Sequence, residues 1–406
     1  MAHTQVYSRY DNLLVTFVLP ITNIGAGMTW SGLPYLLASE TSDLSNIPVL
    51  FIASVTASAL FTLIGGTVAD HFQRKSVVIV CLIADASLTL ALAGIGSANT
   101  IYLFYAVSFS SALIGSLNGS ILGLWIKDIL NATADNLARS LAQRGIWNIS
   151  AKAIGFSIGP VIYKVLAFNA LYVDALFSVI PIIALFWIHD PDRTNHGRVG
   201  WSGGYTEIAK RDFWTRERRL IISLYALTAS YTVPTVIISY AVLLGRFGYD
   251  VVNASSFWLF ASLGSVISHL GLAQRFADRL NSGTRLVVGQ AIMAVGFIGL
   301  WVSDSISSFI AFFMVFTFSN PVITNSLETE VYEKCSDSFR GRFAALCYLS
   351  DDLAGLFVLT TFNLYGADER GDFFYLLSIP IMTFAILLIY SNRSYLNSHS
   401  EKQRAD

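Results

Sequence analysis

Gly66-Thr67-Val68-Ala69-Asp70-His71-Phe72-Gln73-Arg74-Lys75 joins two apolar runs, one ending at its first residues and the next starting at Ser76. Each residue type has a reason to stand in a tight turn between two membrane helices. Gly66 lets two helices approach closely. Asp70 ends a helix, where a negative charge is unfavourable unless a neighbouring helix N-terminus or an arginine meets it. Arg74 and Lys75 hold such a turn on the cytoplasmic side, because basic residues resist translocation.

The composition around this turn is that of a membrane protein. Of 406 residues, 54% are hydrophobic and 13% charged, about half the charge of a soluble domain. The mean hydropathy is +0.57. A net charge of -1 excludes a nucleic-acid partner, which needs a concentrated basic face. Cys81, Cys335 and Cys347 have no metal-binding spacing and read as reduced packing residues.

A bilayer crossing takes about 20 apolar residues, and twelve runs of that order occur, near 12–36, 47–69, 76–97, 100–125, 142–166, 170–189, 220–244, 254–274, 286–303, 305–331, 343–365 and 373–391. The first has no small-residue cleavage site and reads as a retained helix. Of the 26 Lys and Arg, Lys164, Arg246 and Arg370 fall in odd-numbered loops and Lys152 inside a span. The others flank even-numbered loops and the termini, which places both termini in the cytoplasm of an inner-membrane, multi-pass protein. The long basic segment 190–219 divides the chain into two six-helix bundles, 1–189 and 220–406. The halves repeat: Asp278-Arg279 follows span eight as Asp70 follows span two, and Arg340-Gly341-Arg342 opens span eleven. The expected fold is therefore all-α, with twelve transmembrane helices in two pseudo-symmetric bundles and a site between them at mid-membrane.

The turn at 66–75 resembles the G-x-x-x-D-R-x-G-R-K loop of the major facilitator superfamily, with His71 and Gln73 as departures. Gly155-Phe-Ser-Ile-Gly159-Pro160 is similar to the G-x-x-x-G-P element of that superfamily's exporters. Arg340-Gly341-Arg342 resembles the start of span eleven in its twelve-span efflux subfamily, which includes siderophore and macrolide exporters. The resemblance implies a secondary transporter working by alternating access. Asp70, unfavourable at a helix C-terminus by itself, is expected to be held in a gate by a partner from the other half, with Arg342 at the start of span eleven the candidate. Span four, however, lacks the arginine that many drug/proton antiporters carry there, so coupling must reside elsewhere.

A charge at membrane depth costs a few kcal/mol and faces a cavity or a partner. Asp85 in span three and the Asp351, Asp352 pair in span eleven are the candidate proton carriers, because desolvation favours the protonated form of a carboxyl group. Adjacent residues point about 100° apart on a helix, so one of the pair faces the cavity. Lys152, deep in span five, either pairs with a buried aspartate or attracts an anionic cargo. Asn23, Trp30, Asn118, Trp147, Asn148, Tyr231, Tyr240, Asn320 and Asn325 are candidate cavity residues suited to a mid-sized polar, aromatic organic molecule. Glu328 and Glu330 read as part of a solvated gate network.

No nucleotide-binding, metal-protease or hydrolase motif is present, so the chain is not expected to be an enzyme, and no cofactor or metal is expected. The expected partners are a small-molecule substrate, protons and lipid, and the expected state is a monomer. The leading expectation is proton-antiport export of a siderophore-like or drug-like molecule. An uptake symporter, a lysophospholipid flippase and an intramembrane hydrolase are the competing readings.

Overall fold

The computed structural model describes residues 9–95, 101–133, 137–188, 214–248, 250–272, 282–334, 340–365 and 372–392. In a hydrocarbon medium every backbone N–H and C=O must be paired internally, which for apolar runs of this length means helices. The described residues form α1 (Arg9–Leu13), continued through a π turn (Leu14–Val18) and a 3₁₀ turn (Leu19–Ile21) into α2 (Thr22–Thr41). The next five are α3 (Asn46–His71), α4 (Arg74–Ile95), α5 (Ile101–Thr133), α6 (Leu137–Leu166) and α7 (Ala170–Trp187). Then come α8 (Arg216–Phe247), α9 (Val251–Ile267), α10 (Ser282–Val302), α11 (Ile306–Lys334), α12 (Arg340–Tyr365) and α13 (Asp372–Ser391). The described part of every expected span falls on a helical rod of its own. Eight helical stretches among the described residues are long and apolar enough to cross a membrane, and one of them, 144–187, contains both α6 and α7.

The packing of α2–α7 recurs in α8–α13. In the first set α2 packs on α6 and α7, α3 on α5, and α4 on α5 and α7. In the second set α8 packs on α12 and α13, α9 on α11, and α10 on α11 and α13, the same pairs moved by six helices. Two seams join the sets, α3 with α12 and α6 with α9, and they too exchange under that shift.

The two ends of the bundle differ. At the end carrying the Ser42–Ser45 turn, Tyr35, Ala38, Ile47 and Phe51 of the first set share one buried core with Ile237, Tyr240, Phe257 and Trp258 of the second. Toward the other end, the first set closes on itself through Val15, Leu19, Val78, Leu82, Trp125 and Leu185, with no residue of the second set in that core among the described residues. The sets are therefore sealed together at the Ser42–Ser45 end.

Candidate substrate and proton sites

Helices α2 and α6 run parallel and unusually close. A Cβ on Gly155 would collide with the Ile24 carbonyl, and one on Gly159 with Ser31 Oγ and the Met28 backbone. Gly27, on the facing helix, would meet the Lys152 carbonyl at 2.8 Å. Two of these glycines belong to the Gly155–Pro160 element, whose work here is to seat α6 on α2. The register that results places Asn23 against Asn148, with Asn23 Nδ2 donating to Asn148 Oδ1 at 2.7 Å. Asn148, Lys152 and Phe156 follow at intervals of four and so lie on one face.

Lys152 is exposed although it lies deep among packed helices, with its backbone on α2, the condition of a residue that lines an internal space. Its backbone touches α2, and Phe156, one turn further on, stacks on Trp258 of α9 with ring centroids 5.0 Å apart. Among the described residues no hydrogen bond or ion pair engages the Lys152 ammonium. Asp85 is not its partner: that carboxylate lies between α4 and α7, where Ser178 Oγ donates to Oδ2 at 3.4 Å.

Beyond Lys152, toward the sealed end, rings from both sets converge. Trp30 meets Phe51 at 4.6 Å, Phe156 at 5.8 Å and Trp258 at 5.6 Å. Tyr240 lies against Trp258 at 5.0 Å and donates its hydroxyl to the Ser31 carbonyl at 3.1 Å. The buried Trp258 Nε1–H lies near the Tyr240 hydroxyl without close hydrogen-bond geometry. Trp30 remains 37% exposed, so the cluster is open on its Trp30 side.

The second seam is polar. Asp352 of α12 reaches across to α3, where Ser58 Oγ donates to Oδ2 at 2.9 Å and Thr62 Oγ1 approaches the same oxygen at 3.5 Å. Asp351, the neighbouring carboxylate, lies within electrostatic reach of Tyr225 of α8.

Several other candidates stand elsewhere. Trp147 is edge-on to Phe17, on the face of α6 that carries the exposed Ile154, Ile158, Val161 and Val165. Tyr231 is fully buried inside the second set, donating to Gln290 Oε1. Tyr240 is fully buried in the seal rather than open to a cavity. Asn118 and Asn320 are half-buried, with Asn118 Oδ1 lacking a hydrogen-bond partner, and Asn325 is exposed. Glu330 is fully buried, not solvated. Lys75 donates to the Ile188 carbonyl at 2.7 Å, at the C-terminal end of α7, where the helix dipole favours a cation. Asp278 and Arg279 lie outside the described residues. Of Gly66, Asp70, Arg340, Gly341 and Arg342 only the helical backbone is described.

Asp174 is the functional-looking group the sequence reading passes over. It is buried in α7, and Gly25 of α2 leaves the room its carboxylate occupies. Thr29 Oγ1 donates to Asp174 Oδ2 at 2.5 Å, so the Tyr163 hydroxyl, 2.9 Å from Thr29, donates to Thr29 in turn. A lone carboxylate in the apolar run 170–189 is the signal that finds it.

Residues 15–359 match the family described as the Major Facilitator Superfamily. The chain is a member of that superfamily. Its repeated helix pairings and two seams are thus those of a major facilitator transporter, not of an enzyme. "Uncharacterized MFS-type transporter YdeE" of Escherichia coli (strain K12) is 24% identical over 191 residues, which are 45% of this chain and 46% of that one. The alignment spans about half the length of this relative. Among solved structures, the nucleoside transporter NupG matches with a TM-score of 0.73 at 13% identity, over 95% of this chain and 98% of its own. The D-xylose-proton symporter matches at 0.73 and 14%, over 94% and 97%. The human organic anion transporter MFSD10 (TETRAN) matches at 0.68 and 14%, over 94% and 99%. At these identities the likeness is one of fold.

Proposed function

We propose that this major facilitator protein exports a mid-sized organic anion, siderophore-like or drug-like, by alternating access coupled to proton antiport. The observation that carries the reading is Lys152. It is a cation at the middle of a membrane helix, open to the space between the two sets and without a carboxylate partner among the described residues. An unpaired ammonium at that depth is costly, and an anionic cargo relieves it. Asp352 is the proposed proton carrier. It stands at the opposite seam and is hydrogen-bonded across it, so gaining or losing a proton alters the contact between the sets.

In this reading residues 1–189 and 220–406 rock as two units about the seams, with 190–219 as a cytoplasmic linker. Both termini are cytoplasmic, the membrane is the inner one, and the working unit is a monomer. The seal at the Ser42–Ser45 end then closes the outer face, leaving the cargo site to be loaded from the cytoplasm. The Gly155–Pro160 element, through its resemblance to that of exporters, supports the outward direction.

Vesicle orientation tests both direction and coupling. Everted vesicles with an acidic interior should accumulate labelled organic carboxylates, and Lys152→Gln should weaken their binding by about 1.5–3 kcal/mol, the scale of a charge-assisted hydrogen bond. Accumulation confined to right-side-out vesicles would make the protein an uptake symporter.

A further inference from the structure

We infer that the cargo is a compact aromatic carboxylate, its anionic head held by Lys152 and the Asn23–Asn148 amide pair and its ring seated against Trp30, Phe156 and Trp258. The inference rests on the reading that Lys152 faces the transport path, and it names the class of molecule that path selects.

Three features of the site argue for it together. The first is charge. Two carboxylates within the helices of the same set, Asp85 and Asp174, are engaged elsewhere, with Ser178 and Thr29, and Asp11, buried in α1, has an interaction of its own. Nothing among the described residues therefore neutralises Lys152. One turn toward the linker end, the amide pair spends one N–H and one carbonyl on its mutual bond. Each amide keeps unspent capacity beside the ammonium, enough to bind a second oxygen of an anionic head. A helical lysine leans toward its own N-terminus, which directs the ammonium to Asn148 and away from the rings.

The second feature is the ring platform. Phe156 and Trp258 are nearly parallel, 22° apart, while Trp30 stands at 60° and 77° to them. Aromatic rings favour offset-stacked and edge-on neighbours, and the exposed flank of Trp30 is where one more ring can join.

The third is distance. Phe156 lies one turn beyond Lys152, about 6 Å along the helix. That separation suits a ring joined to its carboxylate directly or through one or two carbons, and not a long acyl chain. A cargo of this form also couples loading to gating. Its ring extends a cluster built from both sets, so binding tightens the contact that closes one end of the bundle.

Binding to purified full-length protein in lipid nanodiscs tests this with three probes. 2-Naphthoate carries an aromatic ring and the charge, 2-naphthamide the aromatic ring without the charge, and cyclohexanecarboxylate the charge on a saturated ring. Titration calorimetry on the parent should rank 2-naphthoate first. Lys152→Gln should weaken 2-naphthoate roughly tenfold or more and leave 2-naphthamide unchanged. Trp30→Leu and Phe156→Leu should weaken 2-naphthoate and leave cyclohexanecarboxylate unchanged. Trp30 is partly open, so its variant keeps the test valid if Phe156→Leu fails to fold, as monitored by thermal melting. If both carboxylates bind equally well and only Lys152→Gln weakens them, the anion site stands and its aromatic selectivity is overturned. If Lys152→Gln changes neither carboxylate, the cargo-site reading itself falls, and this inference with it.

Discussion

The two seams occupy equivalent places in the repeat yet are built from opposite chemistry. Between α6 and α9 the contact is rings: Phe156 and Trp258, joined by Trp30 and Tyr240. Between α3 and α12 it is a carboxylate accepting from hydroxyls, Asp352 with Ser58 and Thr62. Separating rings exposes apolar area, a cost that does not depend on protonation. Separating a carboxylate from its donors exchanges protein hydrogen bonds for water, and the balance depends on whether the group is charged. A symmetric backbone can thus give one seam that responds to what is stacked in it and one that responds to protons.

The comparison breaks first at Asp352. On the proposed mechanism, Asp352→Asn should abolish gradient-driven transport in proteoliposomes while leaving energy-independent exchange of labelled for unlabelled substrate measurable. Gradient-driven transport at the parental rate would remove the polar seam from coupling. At the aromatic seam, Trp258→Ala deletes a buried indole, worth about 3–5 kcal/mol in a packed core. It should lower thermal stability and open the Ser42–Ser45 end, read as faster alkylation of a cysteine placed at Ser31 in a background without Cys81, Cys335 and Cys347. The effect should be larger than that of Ser58→Ala at the other seam.

Displacing α6 as a body sharpens the contrast. Gly159→Leu forces a side chain into the Ser31 and Met28 contacts and should cost about 1–3 kcal/mol by overpacking, lowering the melting temperature and disturbing cargo binding. Gly94→Ala, at a position where a Cβ meets nothing within 4 Å, is the control and should stay within about 0.5 kcal/mol of the parent. The smallest change is Tyr240→Phe, which removes one bond to the Ser31 carbonyl. It should shift the sealed end by about 1 kcal/mol, roughly a fivefold rise in alkylation at Ser31.

Much of this architecture is legible along the chain. The rods follow from apolar length, and the close α2–α6 pair follows from glycines four apart at Gly155 and Gly159. Lys152 stands out in the sequence because a cation in an apolar run needs a reason. What periodicity does not give is the direction a side chain takes once helices distant in sequence meet. Trp147 and Trp30 look alike as aromatic residues within spans, yet one lies on the outer face with Ile154 and Ile158 and the other between the two sets. Tyr231 is drawn inward by Gln290, 59 positions away. Asp174 gains its meaning from Thr29 and Gly25 on a helix about 145 residues earlier.

The sequence by itself determined that this protein is helical, lies in a membrane, is built twice over, and carries a few charges at depth that demand a purpose. Those are consequences of hydrocarbon solvation and repeat length, which act locally on the chain. Only the tertiary structure decided which charges are answered. It gave Asp352 hydroxyl donors from α3, gave Asp174 a threonine, and left Lys152 open beside an aromatic cluster. Hydrogen bonds and ring contacts act over a few ångströms between residues about one to three hundred positions apart, and that proximity exists only after the helices have packed.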